Sequence, residues 1–314
     1  MKAAIISQYG AAEVLHIEEI QQPTIKPDRL LVKVCATSVN PLDWKIRKGM
    51  LRLMPGFRFP MVLGFDVSGE VVAVGDRVTH FQPGDLIYAN AGLPGGAYAE
   101  YIAISERAAA PKPINMTHEQ AAAVPGSALT ALQALRDRGH LQSGQAVLVN
   151  GASGGVGSFA VQIAKALNAT VTAVCSTKNV EWVKSLGADR TIDYTQQDFT
   201  QDVGQYDIIF DAVGKRSFSA CRRALKPNGV YITTLPNADN VLWAILTTLL
   251  PGQKAKFVFQ APRGADLSVL KDWIEAGKLR SVIDRTYPLA EIVAAHTYSE
   301  TEHAAGKVVI TVVP

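Results

Sequence analysis

Residues 146–165 read AVLVNGASGGVGSFAVQIAK: an apolar run, four glycines within seven positions, then a stretch with helical spacing. An apolar strand that runs straight into Gly151, Gly154, Gly155 and Gly157 and on into a helix leaves few folds open. Glycine permits the tight turn and lets main chain approach a ligand closely. The helix that follows offers free N–H groups and the positive end of its dipole, which together suit a pyrophosphate. A purely structural glycine turn would have the same composition, so the surrounding pattern decides between the two. AVLVN, TVTAVC, IIFDAVG and VYITTL alternate with the helix-like GSFAVQIAKALNA, NVEWVKSLGA and SFSACRRALKPNG. Buried strands alternating with helices predict an α/β, doubly wound parallel sheet.

The first third of the chain has another texture. Apolar and polar residues alternate in VLHIEEI and LLVKVCATSV, with proline and aspartate between them, as in antiparallel strands. The pattern recurs in GEVVAVGDRVTHFQPGDLIYA, broken at Gly75, Asp76, Pro83 and Gly84, and again in GGAYAEYIAI. These runs predict a small β-barrel or sandwich. From His118 the spacing turns helical through EQAAAVPGSALTALQALRDRG and stops at Gly139. After Pro236 come a helix, an edge-like KAKFVFQ strand, a helix over LSVLKDWIEAG, and a KVVITVV strand that returns to the β domain. The expected division is 1–122 for the first part of a discontinuous β domain, 123–262 for the doubly wound domain, and 263–314 for the return.

Composition narrows the function classes. Of 314 residues, 48% are hydrophobic and 19% charged, enough for two packed cores. Lys plus Arg total 31 against 28 Asp plus Glu, a formal charge of +3, and the basic residues are scattered. That pattern argues against nucleic acid and against an acidic membrane surface as partners. Cys35, Cys175 and Cys221 form neither a disulfide framework nor a CxxC clip, which fits a reducing, cytoplasmic setting. The most lipid-like segment, VLWAILTTLL at 241–250, is about half a membrane span. It predicts a buried helix, a pocket wall or an oligomer contact.

The second strand speaks to the cofactor. A dinucleotide fold that prefers NAD usually carries Asp or Glu about twenty residues past the glycines, for the ribose hydroxyls. Here that strand ends Cys175-Ser176-Thr177-Lys178, with no acid. Two hydroxyls and an ammonium suit a 2′-phosphate, and Lys178 near a helix start breaks the usual dipole preference. Tyr194, just past the next strand, is placed to cover an adenine or reach the phosphate. NADP(H) is the expected cofactor, with Lys178 as a solvated surface lysine and Tyr194 as an ordinary half-buried tyrosine being the bland alternatives.

The run Gly144, Leu148, Ala152, Ser153, Gly154, Gly155, Gly157, Gln162, Lys165 resembles the signature stretch of quinone oxidoreductases and ζ-crystallin. VNPLDWKIRKG, GFDVSGEVVAVG, GAYAEY and HAAGKVVITV resemble further landmarks of that zinc-free branch of the medium-chain dehydrogenase/reductase superfamily. The resemblance covers essentially the whole chain. It implies a discontinuous GroES-like β domain, a Rossmann domain, NADPH in the cleft, and a homodimer. For the cofactor it points to the loop residues Gly151, Ser153, Gly154, Gly155, Val156 and Gly157, to Thr130, to Val213-Gly214, to Thr234 and Leu235, and to Lys307. Helix packing, a strand-end turn and a surface charge are their plain alternatives.

Zinc-dependent members supply a cysteine in the segment matching TSVNPLD and a histidine in a GHE motif; here those positions hold Asn40 and Phe65. The six histidines show no ligand spacing, and catalytic zinc needs about three protein ligands. Without a metal Lewis acid, oxidation of simple alcohols loses its means of stabilising an alkoxide. Reduction of a quinone or an α,β-unsaturated carbonyl by NADPH needs less: one hydrogen-bond donor near the carbonyl and a proton source. The resemblance places Asn40 and Lys45 beside the nicotinamide, and lysine at 45 is more like enone or alkenal reductases than quinone reductases. Lys45 is then the catalytic donor with Asn40 as a second. The alternatives are a surface lysine paired with Asp43 and a turn-forming asparagine before Pro41. A quinone reductase without enone activity, and a non-enzymatic crystallin-like or regulatory NADPH-binding protein, are the competing functions.

Overall fold

The computed structural model describes residues 1–52 and 57–312. The chain forms two compact units, one from Met1–Leu129 with Ala261–Pro314, the other from Thr130–Gln260. In the first unit the alternating runs become β1 (Lys2–Ile6), β2 (His16–Glu19), β3 (Arg29–Val39), α1 (Pro41–Arg47), β4 (Met61–Val62), β5 (Asp66–Val74), β6 (Leu86–Asn90), β7 (Tyr101–Ser105) and β8 (Ala109–Pro111). Then α2 (His118–Ala122) and α3 (Pro125–Leu132) lead out. One helical stretch was expected there. Pro125, which fixes its own φ and opens α3, divides it, and a π-helical turn over Gln133–Arg138 completes it.

The second unit holds β9 (Ala146–Asn150), α4 (Gly155–Ala166), β10 (Thr170–Cys175), α5 (Val180–Lys184), β11 (Arg190–Asp193), β12 (Tyr206–Asp211), α6 (Phe218–Cys221), β13 (Leu225–Thr233), α7 (Ala238–Leu249) and β14 (Lys254–Phe257). Its strands pair in the order β11-β10-β9-β12-β13-β14, all parallel. The strand order reverses between β9 and β12, and in such sheets ligands bind outside the carboxyl ends at that switch point. Its core packs Leu148, Ile209, Phe218 and Tyr231.

The chain then returns as α8 (Gly264–Glu275), β15 (Ile283–Pro288), α9 (Ile292–Glu300) and β16 (Lys307–Thr311). β16 pairs antiparallel with β3 inside the sheet β15-β16-β3-β5-β6-β8, so both ends of the chain build the first unit. Residue 313 of the expected last strand lies outside the described residues. The first unit extends to Leu129 rather than to 122, because α2 packs on β3 and β5 and the Gly126 N–H donates to Asp66.

The 241–250 segment differs from a buried helix. On α7, Leu242, Ile245 and Leu249 are 55%, 62% and 85% exposed, while Asn240 and Thr247 face inward. The polar pair is held there by partners: Asn240 Oδ1 accepts from the Phe218 N–H at 2.8 Å, and Thr247 Oγ1 accepts from the Ala255 N–H at 3.0 Å. Hydrogen-bonding side chains claim the inner face, and the leucines turn out.

Candidate functional site

In the second unit the glycine loop follows β9 at the switch point. Gly151 adopts φ +78°, and a Cβ on it would stand 2.0 Å from Val213 Cγ2. The N–H groups of Gly151 and Ala152 both donate to the Val174 carbonyl, at 3.1 and 2.9 Å, and Gly154 closes the turn onto the Gly151 carbonyl at 3.0 Å. Gly157 is tighter still: a Cβ there would lie 2.1 Å from the Gly151 oxygen. Ser158 makes the first bond of α4, to Gly154 at 2.9 Å. The N–H groups of Gly155, Val156 and Gly157 therefore lead the helix, the ones an α-helix leaves without an internal acceptor. Ser153 is half-buried in the turn.

The neighbouring strand ends are organised by Asp211, a fully buried carboxylate the sequence pattern did not single out. Its Oδ1 accepts from Asn150 Nδ2 at 2.8 Å and from the Gly214 N–H at 3.0 Å. Its Oδ2 accepts from the Arg216 N–H at 2.9 Å and from the Tyr231 hydroxyl at 3.1 Å. This fixes the Val213-Gly214 turn, where Gly214 at φ +74° abuts Leu235 and Thr234 Oγ1 donates to the Ala212 carbonyl at 3.2 Å. Val213, Gly214, Thr234 and Leu235 are thus brought together beside Gly151. Thr130 lies half-buried on α3.

At the end of β10, Lys178 and Thr177 are exposed and Ser176 half-buried, with Tyr194 exposed at the end of β11. The structure adds an acid that the reading of β10 alone lacked. Asp193, the last residue of β11, accepts the Thr177 hydroxyl at 2.5 Å, and the Thr195 N–H at 3.0 Å. These donors, Thr177 first, hold its carboxyl below the usual range. The Thr177 hydroxyl hydrogen is therefore directed at Asp193. Ser176 Oγ accepts from Asn179 Nδ2 at 3.1 Å, which leaves its own hydrogen to donate.

In the first unit two of the candidate residues, Asn40 and Lys307, converge on Asp66, fully buried at the start of β5. Its Oδ2 accepts from Ser38 Oγ at 2.6 Å and Asn40 Nδ2 at 2.9 Å; its Oδ1 accepts from Asn90 Nδ2 at 3.1 Å and the Gly126 N–H at 2.6 Å. Lys307 was expected as a cofactor contact or a surface charge. It is 4% exposed, and its ammonium donates to Asn40 Oδ1 at 2.6 Å and to the Val39 carbonyl at 3.3 Å, with Asp66 Oδ2 at 3.5 Å. Burial lowers its proton affinity, opposed by Asp66 and Asp43. Phe65 packs into the apolar cluster with Leu63 and Tyr98.

Asn40 caps α1 with Pro41 at its first position, and its N–H donates to Asp43 Oδ2 at 2.7 Å. Asp43 Oδ1 accepts from the Gly64 N–H at 2.9 Å, so the carboxyl points inward rather than toward Lys45. Lys45 is half-buried, its ammonium 5.3 Å from the Trp44 ring centroid. Desolvation lowers its proton affinity, with Glu302 acting the other way. Beside Asp43, the buried Tyr98 hydroxyl meets His296 Nε2 at 3.2 Å, and burial pushes that imidazole down to about 3, so it is neutral. The cluster places an ammonium behind an amide, an arrangement that strengthens an N–H donor toward a developing oxyanion.

Burial, its first cause, raises the Asp43 carboxyl to about 7 from 3.8. A raised carboxyl value favours the folded state fully below 3.8, and the contribution is lost as pH rises through about 7. His296, pushed down to about 3, contributes with the opposite sign between pH 3 and 6.5. The Asp43 contribution is therefore read as the stability in urea of the wild type minus that of Asp43→Asn. That difference is expected to fall as pH rises through the window, with Asp66, Lys307, Tyr98, His296 and Arg47 as the charged or titratable neighbours. Asp43→Asn removes that slope and sets an NH2 group against one of two N–H donors, costing about 1–3 kcal/mol at pH 7.5. A difference between the two proteins that does not change with pH would remove Asp43 as the titrating group.

The alcohol dehydrogenase GroES-like domain family matches residues 26–114, and the zinc-binding dehydrogenase family matches residues 186–310. A chloroplast envelope quinone oxidoreductase homolog of Arabidopsis thaliana is 36% identical, aligned over 96% of this chain and 94% of its own length. The NADPH-dependent alkenal/one oxidoreductase of the same plant, a chloroplastic protein, is 37% identical over 100% of this chain and 80% of its own. The quinone oxidoreductase from Coxiella burnetii superposes with a TM-score of 0.90 at 32% identity, covering 100% of this chain and 99% of that one. The chain is an oxidoreductase and belongs to the medium-chain dehydrogenase/reductase superfamily, in its quinone oxidoreductase branch.

Proposed function

We propose that the chain is an NADPH-dependent, zinc-independent reductase of quinones or α,β-unsaturated carbonyls. The observation that carries the reading is the glycine cradle at the β9–β12 switch point, where Gly151 and Gly157 leave no room for a Cβ. Gly157 packs on the Gly151 main chain and Gly151 on the Val213 side chain, and a turn this tight ahead of a twelve-residue helix fits a dinucleotide pyrophosphate. Gly155, Val156 and Gly157 would hold it, with Ser153, Val213, Gly214, Thr234 and Leu235 around the loop and Thr130 on the nicotinamide side. Ser176 and Lys178 would take the 2′-phosphate, with Tyr194 over the adenine. Thr177, tied to Asp193, acts there as a support.

When bound, NADPH supplies the hydride. The protein's part is position and electrostatics. Asn40 and Lys45 donate to the acceptor oxygen as negative charge builds on it, and Lys45, half-buried and with lowered proton affinity, is also the proton source. Zinc-independence rests on residue types: an amide at 40 and a phenyl ring at 65 stand where zinc-dependent relatives place a thiolate and an imidazole. The relatives divide between quinone and alkenal/one oxidoreductases, and Lys45 favours the second substrate class. A homodimer through the edge of β14 and a cytoplasmic location complete the reading. The first is supported by exposed Phe259 and the outer leucines of α7, the second by three separate free thiols. Among the described residues no helix is long and apolar enough to cross a membrane.

Oxidation of NADPH at the nicotinamide absorbance band with a naphthoquinone, a short 2-alkenal and a cyclic enone tests the reading directly. Turnover is expected with at least one acceptor and is expected to survive a chelator; loss on chelation would overturn zinc-independence. Lys178→Ala should raise KM for NADPH about 10- to 100-fold, the worth of one hydrogen bond to a charged group, and leave KM for NADH unchanged. Equal effects on both cofactors would show that Lys178 does not read the 2′-phosphate. Lys45→Ala should lower kcat on the alkenal by about 100-fold. An unchanged kcat would return Lys45 to the role of a surface lysine.

A further inference from the structure

Asn40 has both ends of its amide engaged by groups of opposite charge. Its Oδ1 accepts from the Lys307 ammonium at 2.6 Å, and its Nδ2 donates to Asp66 Oδ2 at 2.9 Å. The two ends of an asparagine amide have nearly the same shape, so partners decide which way it faces. A lysine ammonium only donates and a carboxylate only accepts, so each partner alone selects the same orientation. Together they exclude the flipped amide, which would set NH2 against ammonium and C=O against carboxylate.

We propose that Lys307 is a positioning residue: it locks the Asn40 amide so that the second Nδ2 hydrogen is presented to the reacting oxygen of the substrate. The role rests on Asn40 being a substrate donor, as in the function proposed above. Asn40 is half-buried whereas Lys307 is 4% exposed, so the asparagine has an accessible side and the lysine acts from behind. The ammonium donates to Asn40 Oδ1 and to the Val39 carbonyl and pairs with Asp66 Oδ2 at 3.5 Å, so all three of its contacts lie inside the first unit. Its charge on Oδ1 also polarises the amide and makes the opposite N–H a stronger donor.

The test is a double-mutant cycle on kcat for the best acceptor, together with the side-chain NH2 signals of Asn40 in a 1H–15N spectrum, assigned by their loss in Asn40→Ala. Lys307→Met and Asn40→Ala are each expected to lower kcat about tenfold with KM for NADPH unchanged, the scale of one hydrogen bond. In the Asn40→Ala background, Lys307→Met should change kcat by less than about twofold, since residues acting through one group are not additive. Additive losses would overturn the proposal. In the wild type the two Asn40 amide protons should be well separated, one bound to Asp66, and in Lys307→Met, where Asp66 is the one remaining anchor of the amide, the separation should narrow. Unchanged signals would overturn it as well, and this readout needs no turnover, so it stands apart from failure of the reductase reading. Lys307→Gln keeps a neutral N–H donor and serves if Lys307→Met does not fold. There the wild-type separation should persist, and its collapse would count against the proposal.

Discussion

Asp66 is the point on which the first unit depends. A carboxylate without solvent must find donors or be neutralised, and this one finds them on segments far apart in the chain. Ser38 comes from β3, Asn40 from the cap of α1, Asn90 from the end of β6, Gly126 from the first turn of α3, and Lys307 from the start of β16. Taking one partner from a buried ion pair commonly costs about 3–5 kcal/mol. The electrostatic demand of a single side chain therefore fixes the spatial relation of five segments, including the returning C-terminal strand. It also explains why the first unit extends to Leu129, since the Gly126 N–H belongs to the same shell.

Asp211 does the equivalent work in the second unit. Buried at the end of β12, it holds Asn150 of β9, the backbone of the 213–216 turn and Tyr231 of β13. Three parallel strands are thereby locked at their carboxyl ends, where the glycine loop leaves the sheet. Both units thus use a buried carboxylate at a strand terminus to organise a surface of small residues and main-chain donors. Rigidity of this kind suits the positioning role proposed for these residues.

What was legible in the sequence was whatever depends on near neighbours. The glycine loop, the alternation of strands and helices, the edge position of 254–257 and the return of the last strand all follow from local periodicity and from residues within one turn or strand. Contacts across the fold were not legible. Thr177 and Asp193 are 16 positions apart and meet only because β10 and β11 are adjacent and parallel. Asn40 and Lys307 are 267 apart and meet because β16 lies against β3. α7 shows the complementary failure: hydropathy alone buries its leucines, whereas the hydrogen-bond needs of Asn240 and Thr247 decide which face turns in.

On the function proposed above, the charge balance of the first-unit cluster bears on the kind of acceptor that is reduced. A divalent metal bound directly to oxygen can stabilise the localised charge of an alkoxide. Behind Asn40 the cation is the Lys307 ammonium, which donates to the amide oxygen at 2.6 Å and is accompanied by the Asp66 carboxylate 3.5 Å away, while Lys45 stands apart on α1. Ammonium and carboxylate at that separation offset each other in part, and what the pair leaves at Asn40 is an oriented dipole with a polarised N–H. A dipole of that kind is a weak match for a full localised charge. It is a good match for an oxyanion whose charge conjugation has already spread over a ring or an enone. The reduction of conjugated carbonyls is thus the direction in which this pairing of lysine, asparagine and aspartate is chemically competent.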